Sequence, residues 1–173
     1  NGVFAGGVMA DDDMPSTFWR ALQGEDREQW QAAWEVEKNN MIRLGVLEQV
    51  DWPTNSKTNV CGSKLVCKIK RLADGSLDKY RVRWVAQGFS QQFGVDYFDT
   101  MSPVCTSATV KLVLAIACAV GCIAKQCDIS AAYLRAQLDE VVYMSPPKGV
   151  EIPEIKGKKQ CYRLRKSIYG LKQ

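Results

Sequence analysis

KLVCKIKRLADGSLDKYRVRWVAQ, residues 64–87, decides how this chain folds. Both ends of the stretch alternate apolar and charged residues, the period of a half-buried strand, and Asp74-Gly75 lies between them as a turn. In the first half Leu65, Cys67 and Ile69 point one way and Lys64, Lys68 and Lys70 the other. In the second half Tyr80, Val82, Trp84 and Ala86 oppose Arg81 and Arg83. If the apolar sides share a core, five basic residues share the opposite face of one hairpin. That face reads either as a solvated surface protecting a sheet edge or as a phosphate-binding surface.

On the N-terminal side, Pro15 to Leu22 reads as a short helix and Glu25 to Leu44 as a longer one. Trp30, Ala33, Trp34, Met41 and Leu44 fall near one face of the longer helix, with acids in its first turn and Gly45 as the stop. VLEQVDWP (46–53) reads as a strand ended by Pro53, and TNSKTN (54–59) as a polar loop. On the C-terminal side a long connection, 87–107, leads to a helix over Val110 to Val120, capped by Thr106 or Ser107 and stopped by Gly121. CIAKQCDI (122–129), EVVYM (140–144) and KQCYRLR (159–165) read as strands, with a short helical AAYLRAQ stretch after the first.

Composition sets limits on the chemistry. The 173 residues carry 23 Lys and Arg against 19 Asp and Glu, so a net charge of +4 matters less than its placement. Absence of histidine removes Ser–His–Asp and Cys–His catalysis and His-bearing zinc sites. Carboxylates with a hard metal such as magnesium then lead the options. The seven cysteines form no C-x-x-C pair and mostly sit in apolar runs, so they read as buried free thiols in a reducing, intracellular setting. The uncharged run Leu112 to Ala124 is too short for a membrane span, which needs about 20 residues, and reads as a buried core helix. The opening NGVFAGGVMA lacks a basic n-region and an initiator methionine, as an internal start would.

QCDISAAYLRAQL (126–138) places a lone acid, Asp128, at the expected end of a strand. As a cap, Asp128 or Ser130 would start the helical stretch that follows. A haloacid-type phosphatase nucleophile would want a second Asp two residues on, where Ser130 sits. A magnesium-binding polymerase acid would want the next backbone carbonyl and a nearby aromatic ring, and Ile129 and Tyr133 fit.

Several stretches now line up in order: W-x3-W-E from Trp30 to Glu35, KIKR-x2-DG, KYRVRWVAQGFSQ, GVDYFDTMSPV, DISAAYL, VVYMSPPKGV and SIYGLKQ. From Pro15 onward the chain resembles the reverse transcriptase of copia-type long-terminal-repeat retrotransposons. The resemblance implies an α+β fold, the fingers and partial palm of a reverse-transcriptase-type polymerase. It divides the chain into a linker (1–14), a fingers-like region (15–104) and a partial palm (105–173). The implied activity is RNA-directed DNA polymerisation with Mg2+, an RNA template, a DNA primer and deoxynucleoside triphosphates. No membrane is implied, and integrase and ribonuclease H segments would flank it in a polyprotein, in a cytoplasmic particle or the nucleus.

On that pattern Asp128 is the first catalytic aspartate and binds both metals, about 3.5–4 Å apart, with the Ile129 carbonyl on the nucleotide-side ion. Tyr133 is the aromatic gate against a ribose 2′-hydroxyl. Arg83 grips the triphosphate with its planar fork. Lys68, Lys70, Arg81 and Lys172 contact nucleic acid, and Gly170 allows close backbone approach to the nucleotide.

The chain departs from the family at Leu65 and Cys67, usually aromatic, at Gln87, usually lysine, and at Trp84, usually leucine. These imply a diverged or decaying copy. The aromatic-x-Asp-Asp hairpin that follows YGLKQ in the family does not occur in this sequence, and Asp11 to Asp13 precede the fold. One carboxylate does not hold two magnesium ions, so the chain as given is expected to lack appreciable polymerase activity. A sheet without that hairpin would leave an edge and apolar surface uncovered, so poor solubility is expected. Other readings are a catalytically dead remnant that still binds nucleic acid, and a non-functional fragment.

Overall fold

The computed structural model describes residues 15–100, 104–125, 127 and 129–173. In chain order the elements are α1 (Phe18–Ala21), α2 (Arg27–Arg43), β1 (Leu47–Asp51), β2 (Val60–Cys61), β3 (Ser63–Arg71) and β4 (Leu77–Ala86). A 3₁₀ turn (Gly88–Ser90), α3 (Ser107–Ala119), a second 3₁₀ turn (Ala132–Arg135), β5 (Gln137–Met144) and β6 (Gln160–Lys166) follow. The result is a mixed helix-and-sheet fold.

The hairpin forms as its alternation dictates. β3 and β4 pair antiparallel, with Leu65 opposite Trp84, Cys67 opposite Val82 and Ile69 opposite Tyr80 on the core side. Gly75 turns at φ +87, and the Asp74 carboxylate accepts from the Ser76 N–H at 2.9 Å. A four-stranded sheet, ordered β1-β6-β5-β2, stands beside this hairpin. Its β1/β6 and β5/β6 pairs are antiparallel, while β2 lies parallel to β5. Gly62 is the corner where the chain leaves the sheet for the hairpin, and a Cβ there would collide with the Gln87 side chain.

α2 joins the two sheets. Its end is a two-bond cap in which Gly45 N donates to Ile42 O and Val46 N to Met41 O, both at 3.0 Å, with Gly45 at φ +61. Trp30, Trp34 and Met41 are its buried residues. An aromatic chain then runs Phe18–Trp34–Trp84–Tyr162, with centroids 6.1, 5.7 and 5.3 Å apart. It links both helices to β4 and β6. Trp84, 3% exposed, is the seam between the sheets, and its indole N–H donates to Ser63 Oγ at 2.9 Å. Trp84 therefore fills the core with its polar atom satisfied.

Four expectations need correction. First, α3 forms with Thr106 as its cap, yet none of its residues is buried. Periodicity announces a helix, but burial needs a facing layer, and α3 meets none among the described residues. Second, residues 122–125, 127 and 129 form no strand, because a strand exists only by pairing and no described strand lies beside them. Third, only Cys61, Cys67 and Cys161 are buried; Cys105, Cys118, Cys122 and Cys127 are exposed, for they lie on or near the same uncovered helix. Fourth, AAYLRAQ shrinks to one 3₁₀ turn led by Ala131 at φ 54 with no side-chain cap, and the strand after it starts at Gln137. The acidic cluster Asp11 to Asp13 lies outside the described residues.

Candidate functional site

Because directly opposed residues share a face, the hairpin register also builds its outer surface. Lys64 faces Val85, Val66 faces Arg83, Lys68 faces Arg81 and Lys70 faces Lys79. Two cation–cation pairs therefore sit directly across from one another, an arrangement that destabilises a sheet. The nearby acid, Asp78, reaches only Lys70, at 3.5 Å. Lys79 is a sixth cation that the sequence reading leaves out, since it lies at the turn end where alternation is weakest.

A cleft of about 450 Å³ opens on this face, lined by Val66, Lys68, Lys70, Arg81, Arg83, Val85 and Tyr169. The Arg83 guanidinium lies 4.1 Å from the Tyr169 ring centroid, a stacking contact that orients its planar fork. Tyr169 in turn meets Tyr133 at 5.3 Å between centroids. Three residues far apart in sequence thus make one cluster, and Tyr133 stays 61% exposed at its rim. The sequence reading gives Tyr169 no role; its only signal is its place before Gly170.

The C-terminal segment is held there by the end of β4. Ala86 N donates to Tyr169 O at 2.8 Å and Gly88 N to Gly170 O at 3.1 Å. Gly170 takes φ +91, and a Cβ on it would collide with the Ala86 carbonyl oxygen. Packing against β4 alone therefore requires a glycine at this position. Gln91 ties down the following residues: its Oε1 accepts from Lys172 N at 2.8 Å and its Nε2 donates to Gln173 Oε1 at 3.1 Å. The exposed Lys172 does not line the cleft. Asp128 lies outside the described residues, and Ile129 is 66% exposed.

On the other side of β4, Glu37 of α2 accepts from the Trp84 N–H at 3.3 Å, capping an edge donor that β3 does not use. Burial raises the Glu37 carboxyl above its ordinary range, and the Trp84 N–H, Arg83 and Arg81 pull it back down. The buried thiols are poor nucleophiles: burial, helped by the Asp96 charge, pushes Cys61 up to about 12, and burial pushes Cys67 up to about 11. No group of three Cys, Asp or Glu able to hold a metal ion occurs among the described residues. Nor, among them, is any helix long and apolar enough to cross a membrane.

Residues 45–173 match the family model described as reverse transcriptase (RNA-dependent DNA polymerase). The chain is 31% identical over 167 residues to a retrovirus-related Pol polyprotein from transposon TNT 1-94 of Nicotiana tabacum, covering 96% of this chain and 12% of that protein. Two similar polyproteins, from transposons RE2 and RE1 of Arabidopsis thaliana, are 37% identical over 153 residues and 35% over 165. They cover 88% and 95% of this chain but 10% and 11% of their own lengths, so the chain spans about a tenth of these relatives. No solved structure matches it. This chain belongs to the reverse transcriptase (RNA-dependent DNA polymerase) family, in its copia-type retrotransposon branch.

Proposed function

We propose that the chain is the fingers and first part of the palm of an RNA-directed DNA polymerase, with residues 15–104 as fingers and 105–173 as partial palm. In this reading the outer face of the β3–β4 hairpin holds template and primer. The observation that carries it is the pair of opposed cations, Lys68–Arg81 and Lys70–Lys79. A sheet face that repels itself becomes favourable when a polyanion neutralises it. A merely solvated face has no need to place like charges directly opposite one another.

The cleft beside that face has the parts a deoxynucleotide needs. Arg83, oriented by its stacking on Tyr169, offers paired donors to the triphosphate. Tyr133, in contact with Tyr169, is the group that excludes a 2′-hydroxyl. Gly170 serves first to seat Tyr169 against β4, and its approach to the nucleotide follows from that seat.

Polymerases of this family generally depend on divalent metal. Asp128 and the Ile129 carbonyl are the ligands this chain would offer to Mg2+. They supply few of the six oxygens that magnesium takes, so these residues alone do not make a complete site. The isolated chain therefore binds template–primer but does not extend it. Incubation with template–primer, Mg2+ and deoxynucleotides tests both halves. Binding without extension is expected; template-directed incorporation, or no binding at low salt, would refute the reading.

A further inference from the structure

QGFSQQFGVD, residues 87–96, leaves β4 as a loop, yet two of its polar side chains are buried: Gln91 is 7% exposed and Asp96 3%. Neither lines the cleft. Both ends of the Gln91 amide face the C-terminal segment, the oxygen taking the Lys172 N–H and the nitrogen reaching Gln173 Oε1. Asp96 is the mount for this contact. Its Oδ2 accepts from Asn59 Nδ2 and from the Gln92 N–H, the latter at 2.8 Å, and its backbone carbonyl accepts from Gln173 Nε2 at 3.1 Å. Asn59 Nδ2 also donates to the Ser90 carbonyl at 2.8 Å, so the residues on both sides of Gln91 are fixed. Separating a buried carboxylate from its donors is costly, and the loop therefore resists any shift that would leave Asp96 unsatisfied. Gly88 completes the joint: its N–H donates to Gly170 O, and a Cβ on it would collide with that same oxygen.

From this arrangement we infer that Gln91 is a positioning residue for Arg83, acting through the C-terminal segment and Tyr169, with Asp96 and Asn59 as its support. The two bonds from β4 hold only the carbonyls of Tyr169 and Gly170. Gly170, at φ +91, is the freest backbone in the segment, so the peptide that joins it to Tyr169 can tilt unless the chain beyond is also held. Gln91 supplies that second hold at residues 172 and 173, and the turn is fixed from both ends. The direction of the Tyr169 ring follows from the turn, and the ring sets the Arg83 fork at 4.1 Å and meets Tyr133 at 5.3 Å. A buried amide four residues or more from either arginine or ring in sequence thus decides where the guanidinium points. Only the consequence for a bound nucleotide rests on the polymerase reading.

Side-chain NMR of the full chain reads the stack directly, because the Tyr169 ring current moves the Arg83 Nε–H and δ-methylene signals upfield. Tyr169→Leu gives the unstacked reference. Gln91→Ala should move these signals most of the way to that reference, and Asp96→Ala should do the same. Cys161→Ala, buried in β6, shows what destabilisation alone does and should leave them in place. Should Gln91→Ala fail to fold, Gln173→Ala, which keeps the Lys172 bond, must still shift them part of the way. Arg83 signals unmoved in Gln91→Ala or in Gln173→Ala, or moved equally by Cys161→Ala, would overturn the inference. In the same proteins deoxynucleoside triphosphate affinity should fall several-fold in Gln91→Ala with template–primer affinity unchanged, because template–primer binding rests on the opposed cations of the hairpin rather than on Tyr169. Signals that move with no loss of nucleotide affinity would remove the nucleotide role of Arg83 and leave Gln91 as the residue that positions the stack.

Discussion

Replacing Lys68 and Arg81 together by threonine separates a binding face from a structural one, because the two roles move stability and affinity in opposite directions. The residues are directly opposed on the outer face of the hairpin, and among the described residues neither makes a salt bridge to an acid. A like-charge pair at this spacing costs roughly 0.2–1 kcal/mol, and a Thr–Thr pair contributes about as much in the other direction. The variant should therefore melt at the wild-type temperature or a few degrees above it, at about 2–4 °C per kcal/mol for a chain of this size. Binding should fall. If Lys68, Lys70, Lys79 and Arg81 each neutralise one phosphate, log K against log salt has a slope of about −3.6. Affinity for template–primer then drops roughly 150-fold between 50 and 200 mM salt, and only about twelvefold in the double variant, whose slope is about −1.8. Fluorescence anisotropy across a salt series, with thermal melts of the same samples, reads both quantities. An unchanged slope would refute the phosphate-binding assignment. A large loss of melting temperature would show the two side chains to be structural.

Other substitutions follow from the packing. Trp84→Ala removes the seam between the sheets and leaves Ser63 without its indole donor, so it should cost about 3–5 kcal/mol in urea unfolding; a cost under 1 kcal/mol would contradict the aromatic chain as the core. Gly170→Ala, at φ +91 and against the Ala86 carbonyl, should destabilise by more than about 1 kcal/mol, and a neutral result would remove the packing reason for glycine. Glu37 gives a pH signature. Its carboxyl is raised above the ordinary 4.5 by burial, so its protonated form favours folding. That contribution is complete below pH 4.5 and is lost as pH rises through the higher folded value. Glu37→Gln should thus become progressively more stable than wild type from pH 4.5 to neutrality; urea midpoints that track in parallel would refute the sign.

The hairpin and α2 were legible because their signals are local. Alternation, an Asp-Gly turn and a glycine stop specify backbone and face without reference to distant residues, so the faces of Leu65, Cys67, Lys68, Arg81 and Arg83 follow from pattern alone. α3 and residues 122–125 were legible only in part. Thr106 caps a helix wherever that helix lies, but whether an apolar run is covered depends on a partner that pattern does not name. The two-residue β2 was invisible for the same reason: its pairing with β5 is supplied by residues more than eighty positions away. Of the site, charge placement could be read directly, whereas the stacking of Arg83 on Tyr169 arises where β4 meets the C-terminal segment. Glu37 carried no signal beyond being one acid among several on α2.

The central claim is that Asp128 belongs to a nucleotidyl-transfer centre completed by a second carboxylate motif. It is tested most directly by primer extension with the chain continued through an aromatic-x-Asp-Asp hairpin, comparing wild type with Asp128→Asn in the presence of Mg2+. The account predicts template-directed synthesis by the wild type and its loss to background in the variant, with template–primer affinity unchanged. Equal synthesis by both proteins would contradict it.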